Sequence, residues 1–303
     1  ILELLEVYLT YVPSSTEQSE VADISLYDHV KVTAAVACCM YFYYAAKGEM
    51  KKVKQLANST YEQKFKAENA FLMFSCDLSG IQSFIYTTSG EGALKTLRAR
   101  SLYLEILLEH LADEILTTIG LSRANLIYTG GGHAYLLLPN TEECQDKLRA
   151  IKKRLNHWFI ENFGNDLYLA MAWTPCSGND LINEGDSDNP NPYREIYSRL
   201  AAQLSLQKNT RYSAEEILWL NQADWEDHTR ECKECRRSAV LQGKDTCSFC
   251  DNIKQIARLA IDEQCYFSVL KKTIADMPAL PLPSISQGTV YLSVIEKDRE
   301  LPQ

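Results

Sequence analysis

The stretch NLIYTGGGHAYLLL, residues 125–138, decides how the chain is read. Leu126, Ile127 and Tyr128 form one apolar, β-prone run, Tyr135 to Leu138 form a second, and Gly130, Gly131 and Gly132 lie between them. That pattern is a β-hairpin. Glycine in the turn has two physical uses: it reaches positive φ without steric cost, and it lets a backbone or a phosphate approach where a side chain would block it. Residue types alone leave both uses open, a plain tight or bulged turn and a surface shaped for a ligand.

Ahead of the hairpin, Ala70 to Cys76 (AFLMFSC) has a buried-strand pattern that ends on Asp77, and Leu78, Ser79 and Gly80 lead into a short helical run in which Ile81, Phe84 and Ile85 share a face. A longer helix is expected from about Ala93 to Thr118, with Leu94, Leu97, Tyr103, Leu107, Leu111 and Ile115 inward, and Gly120 stopping it. Beyond the hairpin a helix is expected over Glu142 to Phe163 and a strand over Leu167 to Trp173, before Pro175. The order is βαββαβ. The fold class is therefore α+β, a ferredoxin-like sheet with helices on one face, as in polymerase and nucleotide-cyclase palm domains.

A catalytic palm holds two divalent metals, and Mg²⁺ demands carboxylate oxygens from the first strand and from the hairpin turn. This chain offers Asp77 in the first position and Gly132, His133 and Ala134 at the turn. One aspartate does not make a two-metal site, so this palm is expected to be catalytically dead by itself. Asp77 then reads as a capping or loop-ordering residue before a metal ligand, and His133 as a packed or hydrogen-bonded turn histidine.

The strongest chemical signal is Cys232-x-x-Cys235 followed, after eleven residues, by Cys247-x-x-Cys250. Each CxxC presents two thiolates to one ion, and two such knuckles complete the tetrahedral set that Zn²⁺ accepts, leaving no position for water or substrate. The metal expected here is structural, ordering a segment whose main apolar residues are Val240, Leu241 and Phe249. Arg236, Arg237 and Lys244 give the knuckle a basic face that reads as solvated, with contact to RNA or an acidic partner surface as the alternative. The other six cysteines fall in apolar or mixed runs and read as small core residues.

Composition bounds the rest. The 303 residues, 46% hydrophobic, suffice for two domains or more; the net charge of −9 argues against a whole-surface nucleic-acid binder and leaves room for local basic patches. Ten cysteines without a secretory signal point to a reducing, cytoplasmic setting. Val32 to Ala46, the longest apolar run, falls short of the roughly 20 residues of a membrane span. At the N-terminus, Leu2, Leu5 and Leu9 mark a short helix, and Ser25 with Asp28 gives a capping box ahead of a helix over Leu26 to about Ala46, apolar nearly all round and so expected to be buried. Lys47 to Glu68 reads as a solvated connector. Gly178 to Pro192 reads as a linker, and it precedes helices at Tyr193–Leu206 and after Ser213, with a basic, aromatic stretch at Lys208–Tyr212 between them that reads as a solvated loop, or alternatively as a nucleic-acid or partner contact. A helix is expected past Asp251 to about Asp262; Met277 to Pro283 breaks the pattern, and Gly288 to Val294 reads as a strand.

Three stretches together, DLSGIQSFI (77–85), LRARS (97–101) and YTGGGHAY (128–135), resemble the large signature subunit of type III-A (Csm-type) CRISPR interference complexes. The resemblance implies the C-terminal part of an HD-type domain over 1–57, a degenerate palm over 68–177, a helical domain with four-cysteine zinc knuckles over 190–275 and the start of a connection to a second palm over 284–303. No GGDD turn occurs. At Asp28-His29, helix capping explains Asp28 and a first-turn histidine can hydrogen-bond a neighbour, against the alternative of a metal-dependent phosphohydrolase. Because the first residue is Ile1 and not Met, the chain reads as a piece of a longer protein. For that whole protein the resemblance implies cyclic oligoadenylate synthesis from ATP with Mg²⁺ or Mn²⁺ on target-RNA binding, cleavage of single-stranded DNA, and assembly with the other complex subunits and guide RNA. Asp77, Ser79, Gly80, Gly130, Gly131 and Gly132 are its candidates for the non-catalytic side of an ATP pocket. A pure ribonucleoprotein scaffold and a stand-alone diguanylate-type cyclase are the competing readings.

Overall fold

The structure is a computed structural model, and it describes all residues except 18, 20, 54–64, 88–92, 223–229, 240, 242–243, 260–264 and 297–303. Most of the 47–68 connector, Val240 and the end of the expected 284–303 connection lie outside the described residues. The chain folds into two compact units: residues 1–77, 112–152 and 170–209, and residues 78–111, 153–169 and 210–303.

The first unit is built on a four-stranded sheet. Its strands are β1 (Phe71–Ser79), β2 (Leu126–Gly130), β3 (His133–Pro139) and β4 (Tyr168–Cys176), in the order β2-β3-β1-β4. β1 is buried along almost its whole length, as an interior strand covered on both faces must be, and it pairs antiparallel with β3 from Phe71↔Pro139 to Asp77↔His133. β1 continues past Asp77 to Ser79, further than its apolar pattern suggests. β4 likewise runs through Pro175, which an edge strand tolerates because the missing N–H faces away from the ladder. Helices α1 (Leu2–Leu9), α2 (Leu26–Ala46) and α3 (Met50–Val53) precede the sheet.

α2 corrects an expectation. Only Ala35, Cys39 and Tyr44 are buried, whereas Val30, Val32 and Tyr41 are exposed. One face suffices for its packing on β3, where the wholly buried Asn125 amide donates to the carbonyls of Leu137 (2.8 Å) and Ala35 (3.3 Å). Its start is as read: Ser25 Oγ accepts from the Asp28 N–H.

The linker stretch contains a one-turn helix, α7 (Gly178–Leu181), capped by Ser177 and Asp180, and is followed by α8 (Pro192–Asn209). Helices α4 (Ile81–Tyr86), α5 (Ala93–Ile119) and α6 (Glu142–Phe163) complete the βαββαβ order. Gln207 of α8 does what a neighbouring strand would do for the free edge of β4: its side-chain amide accepts from the Met171 N–H and donates to the Met171 carbonyl. Gln207→Ala will therefore leave both groups to water, at a cost of about 1–2 kcal/mol. Hydrogen exchange at the Met171 amide is the measurement, and it should speed up ahead of the rest of β4.

In the second unit, α5 begins at Ala93 as expected, but its first turns bury other residues than the pattern suggests. Leu94 is exposed, and the buried residues of its first turns are Thr96, Ala99 and Arg100. Four rings, Phe84, Tyr103, Phe163 and Phe249, pack with centroids 5.5–6.3 Å apart and form the centre of this core. Helices α9 (Ala214–Gln222) and α10 (Ser248–Leu259) and a small ribbon, β5 (Arg230–Glu231) with β6 (Ser238–Ala239), carry the cysteine module. A second sheet replaces the expected break at Met277–Pro283: β7 (Cys265–Leu270), β9 (Gly288–Glu296) and β8 (Leu280–Ser284), in the order β7-β9-β8. β8 is an edge strand, which is why LPLPS can be a strand at all. The carbonyls of its two prolines accept hydrogen bonds from Tyr103 Oη and His110 Nε2.

Candidate functional site

The hairpin turn consists of Gly131 and Gly132, with φ of +60° and +87°, joining Gly130 to its partner His133. Two successive positive φ values describe a type I′ turn, which matches the twist of the flanking strands and by itself explains two of the three glycines. At Gly131 an added Cβ would meet open space, so the turn also presents bare backbone outward.

Across the ladder from His133 stands Asp77, its side chain only 10% exposed. Asp77 is not a helix cap: the cap position of α4 is Gly80. Its Oδ2 instead pairs with His133 Nε2 at 2.8 Å and with Lys208 Nζ, and His133 Nδ1 faces the Gly131 carbonyl at 3.2 Å. A nearly buried carboxylate is tolerable only with such partners, and both partner side chains are partly open to water. Lys208 belongs to the stretch whose composition reads as a solvated loop; it lies in the last turn of α8 and reaches a residue 131 positions away. Arg211 from the same stretch lies over the Tyr168 ring, 5.6 Å from its centroid. Next to Asp77, burial pushes the Cys76 thiol up to about 12, so it stays protonated and inert. The structure thus brings Asp77 and glycines 130–132 together in the first unit. Ser79 ends β1 and Gly80 precedes α4 in the second unit, where Gly80 has φ +93° and packs against the Asp166 backbone carbonyl.

The four cysteines do converge. One sulfur from each of Cys232, Cys235, Cys247 and Cys250 lies within 4.8 Å of all the others, and all four residues are buried. Local backbone produces this: Cys232 N–H donates to the Arg237 carbonyl, Arg236 takes a left-handed φ of +57°, and the Cys247 N–H donates to Cys232 Sγ at 3.3 Å. Four buried soft donors at tetrahedral spacing fit a metal ion of the zinc type, with no open coordination position. Without metal, sulfhydryl hydrogen bonds from Cys247 and Cys250, assisted by Arg237, pull the Cys235 thiol well below its usual range.

Arg237 overturns the solvated-face reading. It lies 5.6 and 5.5 Å from the ring centroids of Phe163 and Phe249, donates to the Asn162 carbonyl and faces Asp166 at 3.4 Å. Arg100, which the residue pattern of α5 did not single out, is 1% exposed; it donates to the Phe84 carbonyl (2.5 Å) and to Cys250 Sγ (3.4 Å). The sequence signals for it were a charged residue inside an otherwise inward helical face and its place in the LRARS stretch (97–101).

Comparison with known proteins agrees with this architecture. The family model described as Csm1 subunit domain B matches residues 70–223, about half of the chain. The chain is 40% identical, over its whole length, to 38% of a protein of Mycobacterium tuberculosis named CRISPR system single-strand-specific deoxyribonuclease Cas10/Csm1 (subtype III-A). A protein of the same name from Enterococcus italicus is 41% identical over 98% of the chain and 38% of its own length. The chain therefore spans well under half the length of these relatives. Among solved structures, the apo Csm1-Csm4 cassette superposes with a TM-score of 0.67 at 27% identity, over 99% of this chain and 34% of that one. The same cassette in complex with one ATP gives 0.66 at 28% identity over 98% and 34%. By the family model and the relatives alike, the chain belongs to the Csm1 subunit family.

Proposed function

We propose that this chain is the part of a type III-A CRISPR large subunit that supplies a non-catalytic, ferredoxin-like palm and a structural zinc module. One observation carries the reading: Asp77 faces a histidine and a lysine rather than a second carboxylate, so its oxygen is engaged by protein nitrogen groups where a two-metal site would need acidic partners. Domain limits follow the family pattern, with an HD-type remnant in 1–57, the palm in 68–177, the zinc-bearing helical domain in 190–275 and a connection over 284–303. Zn²⁺ fills the Cys232, Cys235, Cys247 and Cys250 set.

The relatives carry the name of a single-strand-specific deoxyribonuclease, and solved Csm1-Csm4 cassettes exist in complex with ATP, cA3 and cA4. For the whole protein we accordingly propose cyclic oligoadenylate synthesis from ATP with Mg²⁺ or Mn²⁺, together with cleavage of single-stranded DNA. Its partners are a Csm4-type subunit, guide RNA and target RNA, in the cytoplasm. The chain contains no described helix long and apolar enough to cross a membrane. Asp77, Ser79, Gly80 and Gly130, Gly131 and Gly132 are the residues proposed to meet the nucleotide, with bare backbone N–H groups suited to phosphate.

Calorimetry with ATP and Mg²⁺ tests this, on the chain alone and on a version extended through the next palm. The expected outcome is silence from the chain and binding of two ATP by the extended protein, with Ser79→Ala and Gly131→Val each weakening that binding about tenfold, as loss of one or two hydrogen bonds to a charged group predicts. An extended protein that binds no ATP would leave a scaffold.

A further inference from the structure

Two arginines of the second unit, Arg100 and Arg237, meet at the cysteine cluster, and neither has the surroundings of an ordinary arginine. Arg100 is the largest fully buried side chain among the described residues, and it has no carboxylate partner there among its hydrogen bonds: its acceptors are the Phe84 carbonyl and the Cys250 sulfur. Its Nε is buried without a hydrogen-bond partner. A buried guanidinium is costly without negative charge close by; the Asp166 carboxylate interacts with it electrostatically, and further compensation is expected at the cysteine cluster itself. Four thiolates around a divalent cation supply it, since such a centre keeps a net negative charge that is spread over its sulfurs. Arg237 lies at the same cluster: its carbonyl accepts from the Cys232 N–H, its charge interacts with Cys235, and the Asp166 carboxylate faces it at 3.4 Å. N–H donors to metal-bound sulfur both fix the ligand and stabilise its charge, as partners beyond the ligands do at metal sites generally.

What the arginines touch away from the sulfurs gives the arrangement a consequence. Arg100 holds the carbonyl of Phe84, near the end of α4, and lies 5.1 Å from the Phe84 ring centroid. Arg237 faces the Asp166 carboxylate, and the Asp166 carbonyl is the group packed against Gly80 at the start of α4. One end of this six-residue helix is thus one arginine away from a cysteine sulfur, and the other is reached from the cluster through Arg237 and Asp166. A helix so short has almost no stability of its own and takes its order from such contacts.

We propose that Arg100 and Arg237 are outer-sphere residues of the metal centre and that, through them, metal loading sets the order of α4 and of the Ser79–Gly80 segment that enters it. The centre is then a structural element with a remote effect: it positions the loop proposed to meet the nucleotide, while itself binding no substrate. Lys233, by contrast, is 70% exposed and pairs with Asp245 on the outside of the same module, so it lies off this path.

The inference rests on the reading of the four cysteines as a metal centre, and two readouts on the zinc-loaded full-length protein test it separately from that reading. The first is the rate of zinc release to a chromophoric chelator. Arg100→Met and Arg237→Met are expected to release zinc roughly 10- to 100-fold faster than the wild type, and Lys233→Met within about twofold of it, the scatter ordinary for an exposed pair. The second is hydrogen exchange of the Ile81–Tyr86 amides in the wild type, which should rise on zinc removal, and which needs no variant to fold. Wild-type release rates in both arginine variants, or α4 exchange indifferent to zinc, overturns the proposal while leaving a zinc site in place. A wild-type protein purified with no metal and unable to take up one equivalent overturns the metal reading and this inference with it.

Discussion

Cys247→Ser in the full-length protein is expected to abolish stoichiometric zinc binding and to cost more than about 4 kcal/mol in the second unit, at the exceptional end for a single substitution. The size follows from what the module is made of. The buried cluster in this segment consists of the four cysteines and Leu241, with Phe249 packed against it, so the sulfurs are the core as well as the ligands. Serine removes a soft ligand and places a hydroxyl among buried thiols, and the remaining three sulfurs cannot close a tetrahedral site. Metal binding in modules of this kind is folding free energy, so chelation of the wild type should reproduce the defect. Metal content by mass spectrometry, with hydrogen exchange across α10, decides the matter. A serine variant that retains one zinc per chain and wild-type protection in α10 would remove the structural role. Cys38, outside the cluster and only partly buried, is the control position, and Cys38→Ser should change neither readout.

What was legible in the sequence was local. The hairpin was visible because its strands and turn are contiguous, and the cysteine quartet because each half of the ligand set lies within four residues. The βαββαβ order followed from periodicity. The failures share a different cause. β8 was hidden because two prolines read as a breaker, and only the strand's place at a sheet edge makes them acceptable. The exposed face of α2 was misjudged because an apolar helix reports what it could bury, not which of its faces has a neighbour. Lys208, Arg100 and Arg237 were missed as functional groups for one reason: their partners are Asp77, Cys250 and Phe163, 131, 150 and 74 positions away, taking the difference of residue numbers. No window on the sequence spans such a distance. Charged residues were assigned to solvent by default, which is the right prior and the wrong answer at the residues that join the elements.

Gly80→Ala should be far more damaging than Gly131→Ala, although both glycines are proposed to meet the nucleotide. At both positions φ is positive, +93° and +60°, so any Cβ carries a conformational penalty of about 1–2 kcal/mol. The surroundings then separate them. At Gly131 an added methyl meets nothing within 4 Å; at Gly80 it runs into the backbone carbonyl of Asp166, which cannot swing away as a side chain would. Shifting that carbonyl disturbs the turn between α6 and β4 and the Asp166–Arg237 pair, so we expect at least about 3 kcal/mol at Gly80, combining the conformational penalty with the strain of an overpacked site. Chemical denaturation of the two variants measures the difference. Equal stabilities would mean that the close approach at Gly80 is not maintained in solution. The contrast also governs how nucleotide binding is to be interpreted. A loss of ATP affinity in a well-folded Gly131 variant reports on the surface of the turn itself. The same loss at Gly80 is interpretable only beside its stability, because there the backbone that would meet a phosphate is also the backbone that packs against Asp166.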